Sequence, residues 1–247
     1  MKPIAIFRHS PTEGPGYFAT YLDARDIPWR LIALDQGEAA PSDPGQFSGL
    51  VFMGGPMSVN DDLPWIPPVL ELIRSGVAAS IPVLGHCLGG QLMSKALGGA
   101  VGRNPVKEIG WGEIMVADSP VAREWFGPGL DRFESFHWHG ETFSIPPGGE
   151  RIMGNRHCQN QGFVVGNSLG MQCHVEMTGE MIETWCKTGA DELAESNDSP
   201  AVQSAEQMRR EMEGKLEALR AVATRLYDRW AEGLKGRRDE DRGTRGE

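Results

Sequence analysis

A cysteine lies in a sequence pattern that is typical of catalytic nucleophiles. Residues 81–93 run from an apolar segment through Gly-His-Cys-Leu-Gly into a helix-like segment, which places Cys87 at the centre of G-x-C-x-G. This is the thiol form of a sharp strand-to-helix turn, in which side chains at Gly85 and Gly89 would collide with neighbouring elements. A helix N-terminus also favours thiolate over thiol. We therefore predict that Cys87 is a nucleophile, and the alternative is a buried structural cysteine in a glycine-rich turn.

A thiolate nucleophile needs a histidine base, and that histidine needs an acidic residue to orient it. The chain contains six histidines: His9, His86, His137, His139, His157 and His174. His174 is followed two residues later, along an extended segment, by Glu176. On a strand this spacing puts both side chains on one face, so Glu176 can hold the imidazole with one nitrogen toward Cys87. The H-x-E pattern alone is weak evidence for a catalytic pair, and it becomes strong evidence only together with the Cys87 turn.

The other histidines are assigned to pocket walls, the surface or the core. His137 and His139 share one face of a strand, and His157 adjoins Cys158, so a zinc site is a second interpretation. Their spacings match no usual zinc pattern, and we predict no metal. His86 flanks the nucleophile and is expected to point away from it.

The first half of the chain alternates strand-like and helix-like segments. Short runs rich in isoleucine and valine, bounded by glycine and proline, are typical of buried parallel strands. They cover residues 2–7, 29–34, 49–53 and 81–85, and a helix that begins with proline is predicted over 67–79. The second half predicts strand pairs added to the same sheet, at residues 110–117, 131–138, 151–155, 162–165 and 169–173. The pattern favours an α/β fold.

The composition changes after Lys187. Residues 191–200 read as a polar connector, and apolar residues then recur on one face of a helix: Met208, Met212, Leu216, Leu219, Val222, Leu226 and Trp230. Such a stripe is typical of a terminal helix docked on a domain, with a homodimer contact as the alternative. We predict a domain over residues 1–190, a connector and packed amphipathic helix over 191–235, and a disordered tail over 236–247.

Composition and charge exclude several classes of function. The 247 residues are 40% hydrophobic, and 24 basic against 34 acidic residues give a net charge of −10. A domain-wide basic surface is therefore absent, and nucleic acid is not an expected partner. No apolar run reaches the ~18 residues of a membrane span, and the N-terminal run is too short for a signal peptide. Four cysteines without a C-x-x-C pair indicate reduced thiols and a cytoplasmic protein.

Four motifs, taken in chain order, resemble those of the class I glutamine amidotransferases, a family with a Cys-His-Glu triad. Residues 53–56 (Met-Gly-Gly-Pro) are similar to its oxyanion loop, and residues 85–91 match its nucleophile motif G-x-C-x-G-x-Q. Residues 139–141 are similar to the segment that receives the glutamine carboxylate in members of the GMP synthetase type, and residues 172–176 match Q-x-H-P-E. The resemblance covers residues 2 to about 187. It implies a flavodoxin-like fold with a mixed central sheet flanked by helices, here with an added C-terminal helix.

The resemblance implies a role for each matching residue. Cys87 would be the nucleophile, His174 the base and then the acid, and Glu176 the group that orients His174. The backbone amides of Gly55 and Leu88 would hold the oxyanion. The substrate would be bound by the remaining matched positions: Gly54, Gln91, Trp138 and His139.

The implied reaction is hydrolysis of the side-chain amide of glutamine through a γ-glutamyl thioester on Cys87, with release of ammonia. A γ-glutamyl peptide hydrolase with the same triad is the alternative, since only the leaving amine differs, and the intact triad disfavours a silent binding protein. The chain has no G-x-x-x-x-G-K-[ST] phosphate loop, so we expect no cofactor. The expected enzyme is self-sufficient, with a separate ammonia-accepting synthetase as the alternative partner. Val175 replaces the family's proline, which keeps the His-to-Glu spacing but loosens the backbone.

Overall fold

The computed structural model describes residues 1–210 and 212–243, with side chains described as far as residue 234. The strands are β1 Ile4–Arg8, β2 Trp29–Ala33, β3 Gly49–Phe52, β4 Val83–His86, β5 Val101–Val116, β6 Arg132–Phe143, β7 Glu150–Gly154, β8 Gly162–Val165, β9 Ser168–Met171 and β10 Ala201–Val202. The helices are α1 Gly16–Asp23, α2 Ile66–Ala78, α3 Leu88–Ala96, α4 Pro120–Phe126, α5 Gly179–Thr188, α6 Ala190–Glu195, α7 Ala205–Arg209 and α8 Met212–Gly243.

One mixed sheet joins these strands. The neighbours β2, β1, β3, β4 and β9 run parallel, in that order. From β9 the sheet continues antiparallel through β8 and β7 to β5, whose other partners are β6 and the short parallel strand β10. The predicted α/β fold with added antiparallel strands is confirmed. Parallel strands need crossover connections, which are usually helices, whereas antiparallel strands can be joined by tight turns.

Alternate residues of the central strands enter two separate hydrophobic clusters. Ile4 and Ile6 of β1 belong to one cluster, and Ala5 and Phe7 to the other. The first cluster includes buried residues of α1, α4, α5 and α8, and the second includes those of α2 and α3. The sheet is therefore a middle layer between two sets of helices, as the two-residue period of a strand requires.

The antiparallel pair of β5 and β6 is longer than the sequence indicates. The predicted strands over 110–117 and 131–138 cover only part of it, because β5 begins at Val101 and β6 continues to Phe143. Pro105 and several charged residues hide the strand pattern, and the register shifts between Arg103 and Glu108. After the shift, Glu108 lies directly opposite His139.

The apolar stripe of the C-terminal region is divided between two helices. Arg210 is extended (φ −64°, ψ 124°) and separates α7 from α8. The indole Nε1 of Trp111 donates to the carbonyl of Met208 at 2.9 Å, which gives that carbonyl a partner outside a helix. Part of the predicted connector forms α6. The predicted tail, residues 236–247, lies outside the described side chains and, from residue 244, outside the described chain, so it stays a prediction.

Helix α8 covers the first hydrophobic cluster. Its residues Leu219, Leu226 and Trp230 are buried, and the Trp230 ring meets that of Phe18 edge-on with centroids 5.7 Å apart. A Cβ built on Gly49 of β3 would come within 2.8 Å of Trp230, so the indole lies directly on the sheet. Within the described residues, α8 included, no helix is both long enough and apolar enough to cross a membrane.

We expect Trp230→Ala to lower the free energy of unfolding by about 3–5 kcal/mol, because the lost indole leaves a cavity between α8 and the sheet. Urea denaturation measures this change. The matched control is Met115→Ala, which removes a side chain that is 48% exposed and should shift the free energy by less than about 0.5 kcal/mol. A Trp230→Ala protein as stable as this control would contradict the packing described for α8.

Candidate active site

Cys87 forms the turn between β4 and α3 in a strained backbone conformation. Its φ of 49° and ψ of −107° lie in a region that non-glycine residues rarely adopt. A Cβ at Gly85 would collide with the backbone of Gly89, and one at Gly89 would collide with the carbonyl of Phe52. These contacts are the steric reason that we predicted for the flanking glycines. The Cys87 side chain is 6% exposed and lines a cavity at the start of α3.

The predicted base and its orienting acid are in contact. The Nδ1 atom of His174 lies 2.7 Å from Oε1 of Glu176, and both side chains are buried. His174 and Cys87 line the same cavity. The segment is not the regular strand that we expected, since β9 ends at Met171 and residue 174 forms a single bridge with Phe136. The two side chains still meet, although the backbone bends on either side of residue 174.

Three contacts hold His174 in place. Its backbone N–H donates to the carbonyl of Phe136 at 2.8 Å, and Ser135 donates to its carbonyl at 3.3 Å. The Trp185 ring lies across the imidazole, with centroids 4.9 Å apart and planes at 80°. Burial alone would lower the pKa of His174, but the neighbouring Glu176 and Cys87 outweigh it and raise this pKa well above its usual value.

A second layer behind Glu176 was only partly visible in the sequence. His86 is fully buried, with Nε2 3.7 Å from Oε2 of Glu176 and 3.2 Å from the hydroxyl of Tyr227 on α8. Burial lowers the pKa of His86, which keeps it neutral. The pKa of Glu176 is lowered, since the two imidazoles oppose the effect of burial. His86 thus supports the acid of the predicted triad, and no local motif marks Tyr227 as its neighbour.

The predicted oxyanion residues lie together beside the nucleophile. Gly54 and Gly55 follow β3, and Leu88 opens α3 directly after Cys87. A Cβ on Gly55 would come within 2.7 Å of the Leu88 side chain, and one on Gly54 within 3.2 Å of Cε1 of His174. Only glycine leaves room for the loop to approach this closely. The loop and the start of α3 therefore border the same space.

Gln91 contacts a residue to which the sequence assigned no role. The buried Gln91 amide donates to Oε1 of Gln172 at 3.2 Å, and Nε2 of Gln172 donates to the Cys87 sulfur at 3.5 Å. Gln172 is the first residue of the Q-x-H motif, so a signal for it was present. The pair links the first turn of α3 to the segment that carries His174.

The cavity beside Cys87 has a volume of about 450 Å³. Trp138 and His139 line it as predicted, and the Trp138 carbonyl lies 3.9 Å from the Cys87 sulfur. Other residues of the wall lie outside the sequence motifs: Ser10, Thr12, Glu13, Met57, Ser58, Lys107, Trp185, Thr188, Gly189 and Glu192. Lys107 pairs with Glu192, which also accepts from the Trp138 indole at 2.8 Å.

Glu13 is the cavity residue that sequence reasoning missed most clearly. It lies in the loop after β1. A Cβ built on Gly54 would collide with Oε2 of Glu13 and would lie 3.2 Å from Cε1 of His174. The carboxyl group of Glu13 therefore lies close to the His174 imidazole. Burial raises the pKa of Glu13 from 4.5 to about 7, although the charge of His174 opposes the shift. A single glutamate in a loop carries no motif.

The histidines of the zinc interpretation separate in the structure. His137 and His139 stay together and are joined by Glu108, with candidate ligand atoms within 4.8 Å of one another. Cys158 instead contacts the hydroxyl of Thr142 at 3.1 Å, and the ring of His157 accepts from Arg156. The third member of the cluster is thus a glutamate that the sequence did not indicate.

Comparison with known proteins places this geometry in a family. The family model of glutamine amidotransferase class-I matches residues 20–186. The glutamine amidotransferase-like protein YfeJ of Salmonella typhimurium is 29% identical over 207 residues, which are 81% of this chain and 87% of that protein. A glutamine-hydrolysing GMP synthase subunit from Sulfolobus acidocaldarius is 30% identical over 135 residues, which are 53% of this chain and 69% of that protein.

Solved structures agree with the sequence comparison. A glutamine amidotransferase from Methylobacillus flagellatus superposes with a TM-score of 0.92 at 44% identity, over 95% of this chain and 96% of that one. One from Thermotoga maritima gives a TM-score of 0.81 at 27% identity, over 93% and 98%. The flavodoxin-like fold that the motifs implied is confirmed, with its mixed sheet and flanking helices. By its family model and its fold, this chain belongs to the class I glutamine amidotransferases.

Proposed function

We propose that the chain hydrolyses the side-chain amide of glutamine through a γ-glutamyl thioester on Cys87 and releases ammonia. The observation that carries this proposal is the convergence of three elements on one cavity. Cys87 at its strained turn, the His174–Glu176 pair at 2.7 Å and the glycine loop after β3 all border this space. A thiol, an oriented imidazole and backbone donors are the parts that acyl transfer needs.

The catalytic cycle follows from the positions of these groups. The Cys87 thiolate attacks the amide carbon, and the backbone amides of Gly55 and Leu88 stabilise the oxyanion. His174 then gives its proton to the leaving nitrogen, and the C–N bond breaks to release ammonia and leave the thioester. Water, deprotonated by His174, attacks the thioester, and the C–S bond breaks to release glutamate and restore the Cys87 thiolate beside protonated His174. Each step balances without a cofactor.

The electrostatics of the pair suit this cycle. A raised pKa of His174 and a lowered pKa of Glu176 keep an imidazolium beside a carboxylate at neutral pH. The imidazolium holds the proton that the leaving nitrogen requires. Glu176 thus orients His174 and stabilises its cation.

A γ-glutamyl peptide is the second candidate substrate. The cavity of about 450 Å³ extends beyond the motif residues to Lys107, Thr188 and Glu192. This extra space and the charged pair that borders it can accommodate an amine larger than ammonia. The chemistry at Cys87 is unchanged in that case.

A separate synthetase is the proposed consumer of the ammonia. The support is the similarity to a protein named as one subunit of GMP synthase, which indicates that such glutaminase chains occur apart from their synthetase. The acceptor then lies on another chain. The competing proposal is that the isolated chain is active without any partner.

The first test gives the purified protein glutamine and a set of γ-glutamyl peptides and measures ammonia or amine release. We expect hydrolysis without ATP, and we expect Cys87→Ser to lose at least about 10³-fold in kcat, because the oxygen nucleophile is not activated at this site. A glutamine analogue with an electrophile at the amide carbon should label Cys87. Cys186→Ser is the matched control and should keep both activity and labelling. An adduct mainly on another cysteine would overturn the assignment of Cys87, and activity only on addition of a partner would overturn self-sufficiency.

The second prediction separates the base from its orienting acid. His174→Ala should lower kcat/KM by about 10²–10⁴-fold, because the general acid and base is lost. Glu176→Gln should cost less. The alkaline limb of the pH–rate profile of Glu176→Gln should lie at lower pH than that of wild type. Without the carboxylate the pKa of His174 falls, so the imidazolium loses its proton at a lower pH. His157→Ala is the control and should behave as wild type. An unchanged His174→Ala rate would show that another histidine is the base.

The third prediction uses the pKa of Glu13, about 7 against the usual 4.5. The folded protein holds this proton more tightly than the unfolded chain, so wild-type stability should fall as pH rises from about 4.5 to about 7. Glu13→Gln removes that fall and should gain about 1–2 kcal/mol over wild type at pH 8, and much less at pH 4. Thermal unfolding at both pH values measures it, with Glu134→Gln, an exposed glutamate, as control. Equal gains at the two pH values would contradict the shifted pKa.

A further inference from the structure

A second cluster of ionisable groups lies on the antiparallel pair of β5 and β6, apart from the Cys87–His174–Glu176 set. His137 and His139 are two residues apart on β6 and therefore share a face, and Glu108 of β5 pairs directly with His139. The three side chains are 1–5% exposed. One ligand atom from each lies within 4.8 Å of the others. Buried charges of this kind require partners.

The hydrogen bonds of His139 fix its tautomer. Its Nδ1 lies 2.9 Å from the carbonyl oxygen of Glu141, which only accepts, so Nδ1 carries the proton. Its Nε2 lies 3.2 Å from Oε2 of Glu108. In a neutral imidazole that nitrogen is an acceptor facing a carboxylate oxygen, and two acceptors at this distance repel each other. The amide nitrogen of Gln161, which donates to that oxygen, also lies 3.5 Å from Nε2, and a proton or a metal ion between the two acceptors would join them directly.

His137 has a comparable arrangement. Its Nε2 is 3.4 Å from the carbonyl oxygen of Gly112, and a Cβ on that glycine would come within 2.9 Å of His137 Cδ2, so this ring edge rests on β5. The opposite edge carries Nδ1, which is buried and has no hydrogen-bond partner among the described residues.

The carboxylate of Glu108 is held by amides. Asn155 donates to Oε1 at 2.6 Å and Gln161 donates to Oε2 at 2.9 Å. Each imidazole also directs its other nitrogen at a backbone carbonyl. Metal ligands in proteins are oriented in this way, by hydrogen bonds to carbonyl oxygens behind histidines and to donors behind carboxylates. The outer shell of a metal site is therefore present.

The cluster is accessible from outside the active-site cavity. A second cavity, of about 390 Å³, is lined by Glu108 and His137 as well as by Asn155 and His157. A hydrated ion can enter there without passing Cys87. His139 lines the active-site cavity instead, so its ring stands between the two spaces.

We propose that Glu108, His137 and His139 form a binding site for a divalent transition metal ion, with zinc as the preferred metal. Two imidazoles and one carboxylate are a ligand set that zinc takes in tetrahedral sites with one open position, and water from the second cavity would fill that position. Ligand atoms around zinc lie roughly 3.4 Å apart, given bonds of ~2.1 Å. The His139–Glu108 pair is close to this separation, and one ring nitrogen of His137 lies within 4.8 Å of both ligand atoms.

The bound metal would fasten β5 to β6 next to the active site. It would replace a shared proton between His139 and Glu108 and give Nδ1 of His137 a partner. The metal takes no part in the reaction at Cys87. It would fix the position of His139, and with it one wall of the substrate cavity.

The test uses metal-free protein carrying Cys87→Ala, so that the nucleophile cannot contribute a ligand. Titration with Co²⁺, followed by its visible d–d absorption, and then displacement by Zn²⁺ should show one equivalent bound in a tetrahedral site. His137→Gln and Glu108→Gln should each weaken binding at least ~10-fold. His157→Gln is the matched control, since that histidine lines the same cavity but lies outside the cluster, and it should bind as the parent does.

X-ray absorption of the zinc-loaded wild-type protein covers the case in which a ligand variant does not fold. We expect about two imidazoles and further oxygen ligands, with no sulfur. Absence of stoichiometric binding would show that the pair shares only a proton and would overturn the proposal. Sulfur ligation, or binding that Glu108→Gln and His137→Gln leave unchanged in folded protein, would also overturn it. Glutamine hydrolysis by Cys87 is measured separately and does not depend on either result.

Discussion

The close approach of α3 to the sheet is the constraint on which the rest of the site depends. Cys87 must adopt a positive φ, which costs on the order of 1–3 kcal/mol, and the surrounding structure must hold it there. It is held because Gly89 lies against the Phe52 carbonyl of β3 and Gly90 against the Met171 backbone of β9. Any side chain at these positions would lift the helix and release the turn. The glycines therefore fix both the strain and the direction of the thiol.

Strand pairing then brings the other groups of the site to Cys87. β4 pairs in parallel with β3 and with β9, so the chain leaves all three strands at one edge of the sheet. Cys87 follows β4, Gly54 and Gly55 follow β3, and His174 follows β9. Sites at the carboxyl ends of parallel strands are the rule in open α/β sheets. The proposed triad is thus assembled by register, although its members are separated by almost ninety residues of sequence.

The sequence predicted what local sterics and ordered motifs specify. The Cys87 turn and the His174–Glu176 spacing are local, and the parallel strands follow from apolar runs. The sequence did not predict Glu13 and Tyr227 as site residues, because each reaches the site through tertiary packing. Glu13 comes from the loop after β1 and Tyr227 from helix α8. The sequence did not predict Glu108 either, because a register shift in a charged, proline-containing strand places it opposite His139. The division of the apolar stripe at Arg210 depended in the same way on a distant indole, that of Trp111.

Strand β6 connects the two clusters of buried histidines. The carbonyl of Phe136 accepts the backbone N–H of His174, while the next residue, His137, faces Glu108 from the other side of the strand. The Trp138 carbonyl then lies 3.9 Å from the Cys87 sulfur. Backbone carbonyls of β6 thus contact His174 and Cys87, while the side chains of His137 and His139 lie beside Glu108. The metal ion proposed between β5 and β6 would therefore also restrain the backbone that contacts His174 and borders the thiol.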